Sequence, residues 1–133
     1  MMSTLLGFDY GPRKIGVAVG QTVTNTATPL VTLRASDDQP DWASIARLIE
    51  DWKPNALVVG LPFDLDDREA QIAPQARRFA RRLHGRFGLP VHLADERLTS
   101  REARQQLGGR VRKPAELDAV AAKLILETWL HDR

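Results

Sequence analysis

The chain has 133 residues, 43% of them hydrophobic and 27% charged, the balance of a globular protein able to bury its own core. It contains no cysteine, which excludes disulfides, thiolate metal sites and thiol nucleophiles. No apolar run approaches the roughly 18 residues of a membrane span, and Met1 to Leu6 lack the basic segment of a signal peptide, so one cytoplasmic domain over residues 1–133 is expected.

The elements follow in chain order. Thr4–Asp9 reads as a largely buried strand, and a short turn over Tyr10–Arg13 leads into a second strand at Lys14–Gly20, so the two form a hairpin. A third strand is expected around Ala27–Leu33. Pro40 is read as opening a helix to Trp52, with Trp42, Ile45, Ile49 and Trp52 on one face. Ala56–Gly60 is wholly apolar, the pattern of a strand covered on both sides. An acidic loop over Asp64–Glu69 lacks the glycine and ligand spacing of a calcium site.

A long helix is expected from about Glu69 to Arg86, with Ile72, Ala76, Phe79, Ala80, Leu83 and Phe87 in one apolar arc. Its opposite side carries Arg77, Arg78, Arg81 and Arg82. Val91–Ala94 is a fifth strand, and Thr99-Ser100-Arg101-Glu102 is a capping box for a helix closed by Gly108-Gly109. Pro114 opens the last helix, which runs to about Leu130. The order implies an α/β fold: a mixed five-stranded sheet, its first three strands antiparallel, flanked by helices.

Net charge is +2, but it is unevenly spread: residues 1–67 hold 5 basic and 9 acidic side chains, whereas residues 68–113 hold 12 and 4. A basic surface beside an acidic one follows. Arginine on the helix of residues 77–82 either faces solvent or forms a platform for backbone phosphates.

Three carboxylates stand at positions where the predicted elements would not ordinarily place a charge. Asp9 ends the first strand, Glu96 with Asp95 beside it follows the fifth, and Asp118 falls between Ile125 and Trp129 on the helical wheel of the last helix. A buried carboxylate needs a partner. Each has a local alternative: the turn after Asp9, an arginine of the basic helix for Asp118, and solvent for Asp95 and Glu96. Jointly they suit divalent cations, since Mg²⁺ takes a few carboxylates plus water and phosphate oxygens. Paired metals about 4 Å apart are a common device for phosphodiester hydrolysis. No P-loop, dinucleotide fingerprint, HExxH or GxSxG is present, and His84, His92 and His131 have no nucleophile beside them.

Four motifs then stand together: Gly7-Phe8-Asp9-Tyr10-Gly11-Pro12-Arg13-Lys14-Ile15-Gly16-Val17-Ala18, Val58-Val59-Gly60-Leu61-Pro62, Asp95-Glu96-Arg97-Leu98-Thr99-Ser100, and Asp118-Ala119-Val120-Ala121-Ala122 with Ile125-Leu126. In this order the chain resembles the YqgF family, the bacterial group called pre-16S ribosomal RNA nucleases or Holliday-junction-resolvase-like proteins. The resemblance implies an RNase H-like fold, Mg²⁺- or Mn²⁺-dependent phosphodiester cleavage, and trimming of the 5′ end of precursor small-subunit ribosomal RNA. It implies Asp9, Glu96 and Asp118 as catalytic metal ligands. Expected nucleic-acid contacts are Arg13, Lys14, Arg78, Arg81, Arg82, Arg97, Thr99, Arg112 and Lys113. Where related junction resolvases end the fourth strand on a carboxylate, this chain has Gly60-Leu61-Pro62, and Asp67 replaces the family's usual loop glycine.

The expected partners are structured RNA, branched DNA and assembling ribosomal particles, with no membrane, and the expected state is a monomer or weak homodimer. The competing readings are a junction resolvase acting on DNA and a non-catalytic nucleic-acid-binding module of the same fold. An actin-like ATPase shares the Asp9-Tyr10-Gly11 type of turn but normally uses two such domains, too many for 133 residues.

Overall fold

The computed structural model describes residues 3–36, 39–61, 72–95 and 114–131. Strands β1 (Thr4–Asp9), β2 (Lys14–Gln21), β3 (Thr26–Ser36) and β4 (Gln39–Pro40) are followed by α1 (Trp42–Trp52), β5 (Ala56–Leu61), α2 (Ala73–Phe87), β6 (Val91–Asp95) and α3 (Pro114–His131). The strands form one sheet in the order β4-β3-β2-β1-β5-β6. β1, β2 and β3 pair antiparallel, while β5 joins β1, and β6 joins β5, in parallel.

The sheet therefore has six strands where five were expected. The extra strand is the two-residue β4, pairing Pro40 with Ala35 and Gln39 with Ser36. Pro40 does not open the helix as its sequence position suggested. Asp41 does, because its carboxylate accepts the Ser44 backbone N–H at 3.1 Å and the Ser44 hydroxyl at 2.7 Å, so the first helical residue is Trp42. The same bonds lower the pKa of Asp41. At the other end Lys53 takes a left-handed conformation and donates its N–H to the Ile49 carbonyl. Trp52, expected in the apolar face, is 40% exposed in that last turn. α2 begins with a proline in its first turn and ends at Gly88, with φ 68°. The acidic loop, the start of the second helix at Glu69 and the helix expected after Thr99 lie outside the described residues.

Alternation along the strands divides the sheet into two faces. On one, Leu6, Phe8, Ile15, Val17, Val19, Leu57 and Val59 meet Ile45 of α1 and Ala76, Phe79, Ala80 and Leu83 of α2. Phe79 lies at the centre, its ring 5.6 Å from Phe8, 5.1 Å from Tyr10 and 5.7 Å from Trp42. On the other, Leu5, Ala27, Val58 and Ala94 meet Ile125, Leu126 and Leu130 of α3. Ala56–Leu61 thus contributes to both cores, as its apolar run implied. No helix among the described residues is long and apolar enough to cross a membrane.

Candidate active site

α3 lies on a strip of small residues. Gly7 pairs with Ala18, Gly16 with Asp9, and Gly20 with Leu5 across the β1–β2 ladder, and cross-strand partners share a face. A Cβ on Gly7 would approach the Leu126 Cβ to 2.9 Å, and one on Gly20 would meet the Leu126 side chain at 2.8 Å. A Cβ on Gly16 would fall on the carbonyl of Asp118 itself. Asp118, Ala122, Leu126 and Leu130 recur every four residues, so they form the ridge that the glycines receive. The far end of the helix is pinned where Glu127 accepts the Ala27 N–H at 3.1 Å and His131 Nε2 meets the Asn25 carbonyl at 3.0 Å.

This packing brings two of the expected ligands together. Asp9 is the last residue of β1, its cross-strand partner is Gly16, and Gly16 abuts the main chain of Asp118. Both aspartates are half-buried at the same end of the α3 face. Burial pushes the Asp118 carboxyl above the usual aspartate range, and the cation that opposes this shift is Lys14, not an arginine of α2. A carboxylate destabilised by burial is one a bound cation would stabilise. The pair therefore fits a hard divalent metal with oxygen ligands. Among the described residues no third His, Cys, Asp or Glu completes a cluster.

Glu96, Arg97, Thr99, Arg112 and Lys113 lie outside the described residues, and Asp95 is described only as the last residue of β6. β6 nevertheless shows a regular alternation up to that point. Val91 packs with the α2 core, and Leu93 lines a groove with Arg77, Ala80, Arg81 and His84 of α2. His92 stacks on Trp129 of α3 at 4.7 Å, and Ala94 joins the α3 core.

Among the described residues the expected basic contacts do not converge. Arg78, Arg81 and Arg82 belong to α2, on the face of the sheet opposite Asp9 and Asp118. Arg82 donates to the Gln39 side chain at 3.2 Å and stacks on Trp42 at 5.0 Å, beside Arg86 at 4.2 Å. Lys14, by contrast, shares the face of Gly16 and acts on Asp118. Arg13 lies in the bend just before β2, exposed, and its carbonyl accepts the Ala35 N–H at 2.8 Å.

Arg34, the cross-strand partner of Lys14, is not among the contacts expected from sequence. The signal was available, since a hairpin-like β2–β3 pair sets Arg34 opposite Lys14 once the register is known.

Comparison with known proteins extends this picture. The family model RuvX, described as Holliday junction resolvase, matches residues 3–132. A relative from Azotobacter vinelandii named "Putative pre-16S rRNA nuclease" is 52% identical over 135 residues, covering 97% of this chain and 94% of its own. One of the same name from Legionella pneumophila is 54% identical over 130 residues, covering 95% of this chain and 94% of its own. Among solved structures, the fowlpox virus resolvase bound to Holliday junction DNA matches with a TM-score of 0.59 at 12% identity, over 97% of each chain. Thermus thermophilus RuvC bound to a junction matches with a TM-score of 0.54 at 18% identity, over 96% of this chain and 94% of its own. These structural likenesses concern the fold, which is the expected RNase H-like one.

Proposed function

Because the chain belongs to the RuvX family of Holliday junction resolvases, we propose that it is a divalent-metal-dependent nuclease acting on precursor small-subunit ribosomal RNA in the cytoplasm. One observation carries the chemistry: Gly16 lets the Asp118 main chain close onto the sheet beside Asp9. The relatives' shared name supports the substrate.

Asp9 and Asp118 would hold the metal, with Glu96 as third ligand. On the described part of β6, His92 and Ala94 face α3 while Val91 and Leu93 face α2; Glu96 is taken from the family motif, and its position lies outside the described residues. Gly60 pairs with Ala94 where related resolvases end a strand on a carboxylate, which leaves Glu96 to supply that oxygen. Mg²⁺ or Mn²⁺, when bound, supplies water activation and stabilisation of the leaving oxygen. The protein's part is positional: Asp9 is fixed by a paired strand and Asp118 by a helix seated on backbone. Lys14 favours the ionised form of Asp118, the form able to bind a cation.

The test is cleavage of precursor small-subunit RNA by purified protein, alone and on assembling ribosomal particles, with Mg²⁺, Mn²⁺ or EDTA. Metal-dependent shortening of the 5′ end is expected. Intact RNA in every arm, with or without particles, overturns the reading.

A second reading, cleavage of branched DNA, is favoured by the family description. Paired symmetric cuts in a junction require two sites, so it predicts a dimer on junction DNA. A monomer on the junction, with RNA cleaved in preference, excludes it.

A further inference from the structure

Among the described residues, two basic surfaces lie on opposite faces of the sheet, and one of them adjoins the carboxylates. Lys14 and Arg34 are cross-strand partners in β2 and β3, both exposed. Gly16 lies two residues beyond Lys14 and against Asp118, and Thr32, the partner of Gly16, lies two residues before Arg34. Period-two alternation therefore sets Lys14, Gly16, Thr32 and Arg34 on the α3 face. The opposite face of the same strands is fixed independently, since Ile15 and Leu33 belong to the α1–α2 core.

From this juxtaposition we infer that Lys14 and Arg34 form a two-cation rim that holds the phosphodiester backbone of the substrate, so that the nucleic acid crosses the β2–β3 end of the α3 face rather than the arginine face of α2. The inference rests on the nuclease reading for its geometry and adds the path of the substrate to it.

Three physical points carry it. Like charges directly opposite one another on adjacent strands repel and destabilise a ladder, yet Lys14 and Arg34 face each other at the mouth of the site. A polyanion laid across both turns that repulsion into attraction. The rim also has the correct reach. Two residues of strand span about 7 Å, close to the axial rise of two base steps on one strand. The rim thus stands within a few nucleotides' reach of a phosphate held at the carboxylates. Finally, the α2 arginines are separated from Asp9 and Asp118 by the sheet itself, and Arg82 already lies on Trp42. A backbone held at Arg81 would not reach the carboxylates without passing around the sheet edge.

The experiment measures anisotropy of a labelled RNA hairpin with a 5′ single-stranded extension, and of a four-way DNA junction, in EDTA across a salt series. Binding is thereby read apart from cleavage. Lys14→Gln and Arg34→Gln should each weaken binding about five-fold, and the double variant more than about ten-fold. The slope of log affinity against log salt should fall by about 0.7 to 0.9 for each cation removed. Arg47→Gln, a charge-matched change on exposed α1, should leave both unchanged. Wild-type affinity in the double variant overturns the proposal, as does an Arg81→Gln loss as large as that of the double variant. If the expected pattern appears but the wild type cleaves neither probe nor precursor RNA, the rim stands and the nuclease reading fails. If the wild type cleaves while the double variant binds normally, the nuclease reading stands and the rim fails. The probe whose affinity responds more strongly identifies RNA or DNA as the source of the phosphates.

Discussion

The two faces of the sheet are covered by helices in opposite ways. Beneath α1 and α2, large side chains such as Phe8, Ile15, Leu57 and Phe79 fill the space. Beneath α3, Gly7, Gly16, Ala18 and Gly20 leave almost none: the Asp118 carbonyl lies against Gly16, and the Leu126 side chain lies against Gly7 and Gly20. A layer of interlocking side chains can absorb a substitution by repacking rotamers. A contact of main chain on main chain, as at Gly16, cannot. The second arrangement suits a carboxylate that must stay aligned with another on a different element, because Asp118 is positioned by the fold's least adjustable atoms. The α1–α2 face supplies apolar burial, and the α3 face supplies placement.

The sharpest way to separate these roles is Asp9→Asn. It removes one charge at the end of β1 and no buried volume, so the fold should survive with an unchanged far-ultraviolet spectrum. Cleavage should fall by about a hundredfold or more, the scale of losing a group that organises transition-state charge. Nuclease assays on precursor RNA check this, and activity within a few-fold of wild type would detach Asp9 from the chemistry.

Next in size is Gly16→Ala. The added methyl would fall on the Asp118 carbonyl, and neither partner is the end of a flexible side chain. α3 must shift, with an expected destabilisation of about 3 kcal/mol and a loss of cleavage larger than the loss of folded protein explains. Denaturant melts and activity per folded molecule separate the two effects. Gly85→Ala is the control, a change at an exposed position of α2. A Cβ there meets nothing within 4 Å, and the residue lies within α2. It should stabilise the protein by about 0.5 kcal/mol through helix propensity and leave cleavage unaltered. Equal effects from the two glycines would mean that the close approach at Gly16 has no cost of its own.

Much of this division was legible in the sequence. The run Thr4–Asp9 and the wholly apolar Ala56-Leu57-Val58-Val59 announced central strands, and each formed as read. β4 was not legible, because two residues including a proline carry no periodicity. The helical wheel set the α2 arginines opposite its apolar arc, but a wheel does not say which face of a sheet a helix covers. The crossover rule does: α1 and α2 precede parallel strands added in the same direction, β1 to β5 to β6, and right-handed crossovers put both helices on one side. α3 is then left for the other side. Isolated glycines within strands, Gly7 and Gly16, were the remaining signal, since they mark close backbone approach. Their partner in that approach, a helix more than a hundred residues along the chain, is a tertiary fact that no local pattern contains.

The smallest expected effect concerns Asp118 itself and carries a definite sign. Burial raises its carboxyl above the ordinary aspartate value of 3.8, with Lys14 opposing the shift only in part. A group whose folded-state pKa is raised favours folding while it is protonated, and that contribution is lost as pH rises through the folded-state value. In EDTA, therefore, Asp118→Asn should melt above wild type at pH 7, and the gap should close as pH falls below the ordinary aspartate range. Because Asp118 is half-buried, solvent screens part of the penalty and the shift in melting temperature should be small. Mg²⁺ should raise the melting temperature of the wild type and narrow or reverse the gap, since binding to the folded state stabilises it by mass action. A variant that melts below wild type at every pH in EDTA would mean that Asp118 holds the α3 face together by its own hydrogen bonds. The carboxylate would then belong to the architecture of that face rather than to its chemistry.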